Sequence, residues 1–202
     1  MMKKNILITG YRGNLSKKLI IKIKKNSNIF VTKNRSEKLY LLNKNLVEEK
    51  KKIKFDTVYH FASRHKFPAF LKNSKKNYKI NIKIFNNIFN LYSKNKIKYF
   101  YFLSSIDAEK TMPNDYKFDY VSSKLKVERK LKKLSKKIDH VIILRLPGVL
   151  SKNNNIFINK IIKKIKKNIK VDLKTLPNRF NAIISETDII KFVTYKKNIK
   201  KK

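Results

Sequence analysis

Two glycines, Gly10 and Gly13, punctuate the first apolar stretch of this chain, Ile6-Leu-Ile-Thr-Gly-Tyr-Arg-Gly-Asn-Leu-Ser16, and the whole chain has only one other. Before them, Ile6, Leu7 and Ile8 form a short apolar run of the kind a buried strand shows. After them, Leu15, Leu19, Ile20 and Ile23 recur at helical spacing. A strand, a glycine turn and a helix start thus follow one another directly. Glycine lets the backbone approach an anion closely, and the unpaired N–H groups of a first helical turn point at it. The pattern predicts a dinucleotide or another phosphate ligand near the N-terminus.

Length and composition bound the rest. At 202 residues the chain fits one domain with a full core. Without cysteine it forms neither disulfides nor thiolate–metal sites. The apolar part of the N-terminus is too short for a secretory leader, and no apolar run is long enough to span a bilayer. A cytoplasmic protein without membrane insertion is expected.

The formal net charge of +39 suits a polyanion, either nucleic acid or an anionic membrane surface. Yet among 52 basic residues only Arg12, Arg35, Arg64, Arg129, Arg145 and Arg179 are arginine, and the lysines run the length of the chain. Specific nucleic-acid faces gather arginine and exposed aromatics into clusters. Lysine spread this evenly reads as a solvated surface, with weak, salt-sensitive attraction to polyanions as its consequence. No specific nucleic-acid partner is expected.

Short apolar strands alternate with helical patterns. Strands are predicted at Ile6–Thr9, Asn28–Thr32, Thr57–Phe61, Lys98–Leu103, His140–Leu146 and Asn181–Ser185. Helices are predicted at Asn14–Lys25, Lys75–Lys94, Tyr120–Lys137, Asn155–Lys167 and Glu186–Tyr195. This alternation implies an α/β fold, a doubly wound parallel sheet covered on both faces. The segment Lys33–Asp56 holds either a helix or a short strand at Leu39–Leu42 followed by a helix, and it is tight for the usual two crossovers. The tail Lys196–Lys202 is a charge run, expected to fray.

Two later segments carry chemistry. In Asp119-Tyr-Val-Ser-Ser-Lys124, Tyr120 and Lys124 are four apart and share one helix face. A phenol of ordinary pKa about 10 is almost wholly protonated at neutral pH, and a nearby ammonium favours its phenolate. A tyrosine so tuned passes a proton to or from a hydroxyl or carbonyl oxygen. The apolar run Lys98–Leu103 ends in Ser104 and Ser105, at the carboxyl end of a strand where open parallel sheets bind ligands.

Taken in order, these segments resemble the extended short-chain dehydrogenase/reductase superfamily, the NAD-dependent epimerase/dehydratase family. Thr9–Ser16 resembles its TGxxGxxG loop, Thr57-Val-Tyr-His-Phe-Ala62 its VxHxA strand, and Phe100–Ser105 the strand that delivers the catalytic Ser or Thr. Tyr120-Val-Ser-Ser-Lys124, with Glu128 following, resembles the YxxSK helix. Asn81, Arg145-Leu-Pro-Gly148 and Asn181–Asp188 match further segments.

The resemblance implies a Rossmann-type sheet, with a dinucleotide-binding core at 1–150 and a much reduced C-terminal substrate region at 151–202. Tyr120 would be the acid/base, Lys124 would lower its pKa and hold the nicotinamide ribose, and Ser105, rather than Ser104, would hydrogen-bond the reacting oxygen. Gly10, Tyr11, Arg12, Gly13, Asn14, Leu15, Arg35, Phe61, Ala62 and Asn81 would lie on the cofactor side, with Ser16 in the same turn. His60 is either a packed strand-end histidine or a direct contact. The implied reaction is hydride transfer on a nucleotide-linked sugar, epimerisation or reduction rather than dehydration. A homodimer through the helices at Lys75–Lys94 and Tyr120–Lys137 is also implied. A non-catalytic dinucleotide-binding module is the alternative.

Three departures refine this. Ser16 stands where a third glycine normally allows close helix–strand packing. The second strand ends Val31-Thr-Lys-Asn-Arg35, without the acidic residue that takes a ribose 2′-hydroxyl, while Arg12 and Arg35 suit a 2′-phosphate, so NADP is expected, with NAD as the alternative. Ile106 and Asp107 occupy the positions where dehydratases of the family carry adjacent Asp-Glu.

Overall fold

The structure, a computed structural model, describes residues 3–33, 35–42, 53–64, 74–92, 97–109, 118–134, 138–151, 157–171 and 182–195. The first strand, β1 (Lys4–Thr9), buries Ile6 to Thr9 without a break, as a parallel strand covered on both faces must. It is followed by α1 (Asn14–Ile23), β2 (Ser27–Lys33), β3 (Lys38–Leu41), β4 (Thr57–His60), α2 (Ser74–Tyr92), β5 (Ile97–Ser105), α3 (Phe118–Lys132) and β6 (Ile138–Leu146). The last elements are β7 (Gly148–Leu150), α4 (Phe157–Lys166), β8 (Ile183–Ser185) and α5 (Glu186–Thr194).

Six strands form one sheet in the order β3-β2-β1-β4-β5-β6. All its neighbours are parallel except β3, which runs antiparallel to β2. The strand order reverses between β1 and β4, which makes their carboxyl ends the crevice where such sheets take ligands.

Each face of the sheet buries its own core. On one, Leu7, Phe30, Val58, Phe100 and Phe102 meet Ile80, Ile84, Phe85 and Ile88 of α2 and Val127 and Leu131 of α3. On the other, Ile6, Ile8, Ile29, Val31, Tyr59 and Tyr101 meet Leu19 of α1 and Ile189, Ile190 and Val193 of α5. The predicted double winding is therefore present. At the entry to α5 the Ser185 hydroxyl accepts the Asp188 N–H at 3.0 Å, capping the helix. Lys18 of α1 then reaches the buried Glu186 at 2.8 Å, tying the two helices together.

Three features differ from expectation. The short strand foreseen within Lys33–Asp56 exists as Lys38–Leu41, but it turns straight back on β2 through the 33–38 hairpin instead of crossing over. That hairpin holds Arg35 and Ser36 at φ of 53° and 67°, the left-handed backbone a tight return needs. The helix foreseen after it falls outside the described residues. Secondly, Ile183–Ser185 does not extend the main sheet; it pairs in parallel with β7 as a separate two-stranded ribbon. Finally, α3 begins two residues earlier than expected, so that Asp119 sits in its first turn, where an acidic side chain complements the helix dipole.

Candidate active site

The carboxyl ends of β1, β4 and β5 carry the glycine loop, His60 and the Ser104–Ser105 pair. The glycine loop is held closed by the Gly13 N–H donating to the Gly10 carbonyl at 2.9 Å. Gly10 sits at φ +71°, and a Cβ there would lie 2.8 Å from the backbone of Ala62. Glycine is thus required twice over, by the dihedral and by the backbone that passes against it. The same approach is fastened by Thr9, whose hydroxyl accepts the Ala62 N–H at 3.0 Å and meets His60 Nδ1 at 2.9 Å.

Gly13 differs. Its backbone is extended, and among the described residues a Cβ there would touch only the Gly10 carbonyl, at 3.3 Å, which leaves the approach open on their side. As N-cap of α1 it offers no side chain to the first-turn N–H groups, and that turn contains no acidic residue. An open approach over uncapped helix N–H groups fits the pyrophosphate of a dinucleotide. Around it, Asn14 donates to the Ser151 hydroxyl at 3.5 Å, and Arg12 donates to the Tyr11 hydroxyl at 3.2 Å with its guanidinium near that ring. Tyr11, Leu15 and Phe61 pack against the core on the α1 side.

His60 resolves to the packed reading. It is buried, stacks on Phe102 with ring centres 5.5 Å apart, and bonds Thr9. Burial, and secondarily the charge of Lys124, lower its pKa to about 3, so the ring is neutral at physiological pH. Asn81 of α2 acts as a cross-brace. Its Oδ1 accepts the Arg64 N–H at 2.7 Å, while its Nδ2 donates to the Arg64 carbonyl at 3.2 Å and to the Ser123 hydroxyl at 3.0 Å. It thereby joins the segment after β4 to the α3 helix.

On α3, Lys124 is buried and donates to the Leu103 carbonyl at 2.7 Å, with Nζ 5.4 Å from the centre of the Tyr120 ring. Burial lowers its pKa to about 7, against the opposing pull of Glu128. Tyr120 is raised above its ordinary value, chiefly by burial; the Ser63 hydroxyl works against the rise and the Asp107 carboxylate adds to it. The expected depression of the phenol by Lys124 is absent from this geometry.

The two serines have different surroundings. Ser104 is buried and donates to Glu128 Oε1. Arg145 holds the same carboxylate side-on, at 3.2 Å and 2.7 Å. Burial raises the Glu128 pKa, but the bonds from Arg145 and Ser104 outweigh it and leave the carboxyl below its ordinary value. Ser105 is only partly buried, at the strand end, and its hydroxyl accepts the Asp107 N–H at 3.3 Å. Asp107 thus acts on both Ser105 and Tyr120.

Arg35 stands at the β2–β3 turn, exposed. Its backbone carbonyl accepts Asn87 Nδ2 at 3.0 Å and its charge acts on Glu37, which Lys83 holds at 2.8 Å. Ser63 and Arg64 were not foreseen. They contribute through a loop that folds onto the site, and no spacing rule marks such positions. Ser16 is buried at the start of α1, as its place in the glycine turn demands.

Comparison with known proteins bears on the fold and the family. The profile of the NAD dependent epimerase/dehydratase family matches residues 6–179. No curated protein sequence matches. Among solved structures, the chain resembles UDP-N-acetylglucosamine 4-epimerase from Methanobrevibacter ruminantium, with a TM-score of 0.70 and 20% identity over 95% of this chain and 72% of that one. It also resembles UDP-glucuronic acid 4-epimerase from Bacillus cereus in complex with NAD, with a TM-score of 0.69 and 17% identity over 96% and 75%. GDP-mannoheptose C4 reductase from Campylobacter jejuni, with NADP bound, gives 0.70 and 14% over 96% and 73%. Against the capsular polysaccharide assembling protein CapF from Staphylococcus aureus, with a TM-score of 0.56 and 20% identity, the chain spans 47% of the relative's length. These likenesses establish the fold, and the family profile, running from β1 to beyond α4, establishes that the chain belongs to the NAD-dependent epimerase/dehydratase family.

Proposed function

We propose that the chain is an NAD(P)-dependent oxidoreductase or epimerase acting on a nucleotide-linked sugar, with Tyr120 as acid/base. The observation that carries this reading is the shared α3 face of Tyr120 and Lys124, set against the end of β5 where Ser105 is free of the Glu128 cluster. In this reading Gly10, Gly13, Asn14 and Leu15 hold the pyrophosphate, and Lys124 the nicotinamide ribose. A nicotinamide dinucleotide, when bound, supplies hydride transfer. Tyr120 Oη moves the proton at the sugar hydroxyl or keto oxygen, and the Ser105 hydroxyl hydrogen-bonds that same oxygen. Residues 151–202 lie on the substrate side.

Arg12 and Arg35, both exposed and flanking the ends of β1 and β2, support NADP(H) over NAD(H). The relatives named above include one bound to NAD and one to NADP, in keeping with either dinucleotide.

The test is turnover of UDP- and GDP-linked hexoses with each dinucleotide, alongside direct binding of NADPH and NADH. Tyr120→Phe is expected to lose about 10²–10⁴-fold in kcat while binding the dinucleotide as the parent does, and Arg35→Ala to lose NADPH affinity selectively. Undiminished turnover by Tyr120→Phe overturns the acid/base assignment. Dinucleotide binding without turnover of any sugar makes the chain a binding module.

A further inference from the structure

The C-terminal part of the chain presents an apolar face that the core does not use. On α4, Ile161, Ile162 and Ile165 fall within about a third of the helix circumference, at the spacing of a single stripe. Ile162 and Ile165 are 38% and 60% exposed, and Ile169, just past the helix, is 49% exposed. Beside α4 lies the β7–β8 ribbon, joined to it by Asn159 donating to the Ser151 carbonyl. Leu150 and Ile183 fall on one face of that ribbon by register, and they are 38% and 55% exposed. Isolated exposed apolar side chains are ordinary, but three at the spacing of one stripe along α4 and just past it, with two more on the adjoining ribbon, are more than that.

The charge around this stripe is of one sign. Lys163, Lys164, Lys166, Lys167 and Lys170 are all exposed, and no acidic residue occurs between Phe157 and Lys170. At 100° per residue the lysines of α4 occupy the side away from the isoleucines, with Lys164 and Lys166 flanking the stripe. Lysine stems can lie along the apolar border while their ammonium groups reach outward. No described helix is long and apolar enough to cross a membrane.

From this we infer that α4, with the β7–β8 ribbon beside it, is a docking face for an anionic lipid surface. The helix lies in the interface plane. Ile162, Ile165 and Ile169 enter the headgroup–acyl boundary, and the flanking lysines pair with lipid phosphates and carboxylates. The charge complementarity selects this occupant. A nucleic acid would pair with the lysines and leave the isoleucines in water, whereas a neutral protein groove would bury the isoleucines and leave the lysines unpaired.

The experiment must separate this face from the attraction any chain of net charge +39 has for anionic vesicles. The 202-residue chain is sedimented with phosphatidylcholine vesicles with and without phosphatidylglycerol, at physiological salt. The double substitution Ile162→Ser and Ile165→Ser keeps every charge and alters only exposed positions. It is expected to weaken binding to the anionic vesicles about tenfold or more, by removing apolar area from the contact. Because the chain has no tryptophan, Ile165→Trp provides a single indole, excited at wavelengths where the tyrosines barely absorb. Its emission is expected to shift to the blue with anionic vesicles and not with pure phosphatidylcholine. Equal vesicle binding by the serine variant, or an unmoved Ile165→Trp spectrum, overturns the proposal and leaves only diffuse lysine attraction.

Discussion

Gly10 and Gly13 share a loop but answer to different constraints. At Gly10 the positive φ and the Ala62 backbone at 2.8 Å both exclude a side chain. Gly10→Ala is expected to destabilise the fold by about 2–4 kcal/mol, read as a lower urea midpoint. Gly13→Ala should cost under about 1 kcal/mol, since among the described residues only the Gly10 carbonyl at 3.3 Å must give, yet weaken dinucleotide binding by filling the approach. Equal destabilisation by the two substitutions would show that this division is mistaken. The sequence marked both glycines as one feature; it carried no sign that one is packed from behind and the other open in front. Lys124 teaches the same lesson about charge. Its four-residue spacing from Tyr120 was readable, but its burial and its bond to the Leu103 carbonyl arise from how α3 meets β5.

Those features give Lys124 a pH signature. Its folded-state pKa of about 7 lies below the unfolded value of about 10.4. Between these values the unfolded chain binds the extra proton, so this group's contribution favours folding increasingly as pH rises through that window. Lys124→Met lacks the term. Its stability relative to the parent should therefore be greatest near pH 7 and decline toward pH 10, measured by urea unfolding across that range. A difference that stays constant with pH would mean that Lys124 is charged in the folded state.

At the scale of elements, the Ser104–Glu128–Arg145 cluster fixes α3 against β5 and β6. Glu128→Ala would leave Arg145 and the buried Ser104 without their shared acceptor. A loss of about 2–4 kcal/mol is expected, less than for a fully buried pair because Arg145 is partly exposed. Calorimetric unfolding of the variant checks this, and a loss below about 0.5 kcal/mol would show the cluster to be ornamental.

The main elements were legible because their periods are clean. Ile6-Leu-Ile reads as strand, and Leu15, Leu19 and Ile23 as one helix face. The β2–β3 return was less so. Leu39 marks a strand but nothing in Lys38-Leu-Tyr-Leu sets its direction, which the left-handed turn at Arg35 and Ser36 decides. Likewise Ile183-Ile-Ser has a strand's composition, and only its pairing with β7 removes it from the main sheet.

For the whole molecule the dominant unfavourable term is its own charge. With 52 basic and 13 acidic residues, the compact state concentrates repulsion that the unfolded chain spreads out. Screening should relieve it. Raising sodium chloride from low ionic strength to about 0.15 M, where the screening length falls to about 8 Å, is expected to raise Tm by roughly 2–4 °C for each kcal/mol regained. A Tm unmoved or lowered by salt would mean that the lysines are spaced widely enough not to interact. Sequence alone supplied this prediction, since it depends on totals and not on placement.

The contact between Gly10 and Ala62 also has a temporal meaning. Synthesis delivers Thr9 and Gly10 early, but the hydroxyl bond and the backbone that shape them belong to a segment 53 residues later in the chain. Between the two lie the β2–β3 hairpin, whose contacts are local, and the pairing of β1 with β4, which closes a long loop and is correspondingly slow. The glycine turn thus takes its final form only when β1 and β4 have paired and Ala62 has come against Gly10, however early its own residues leave the ribosome.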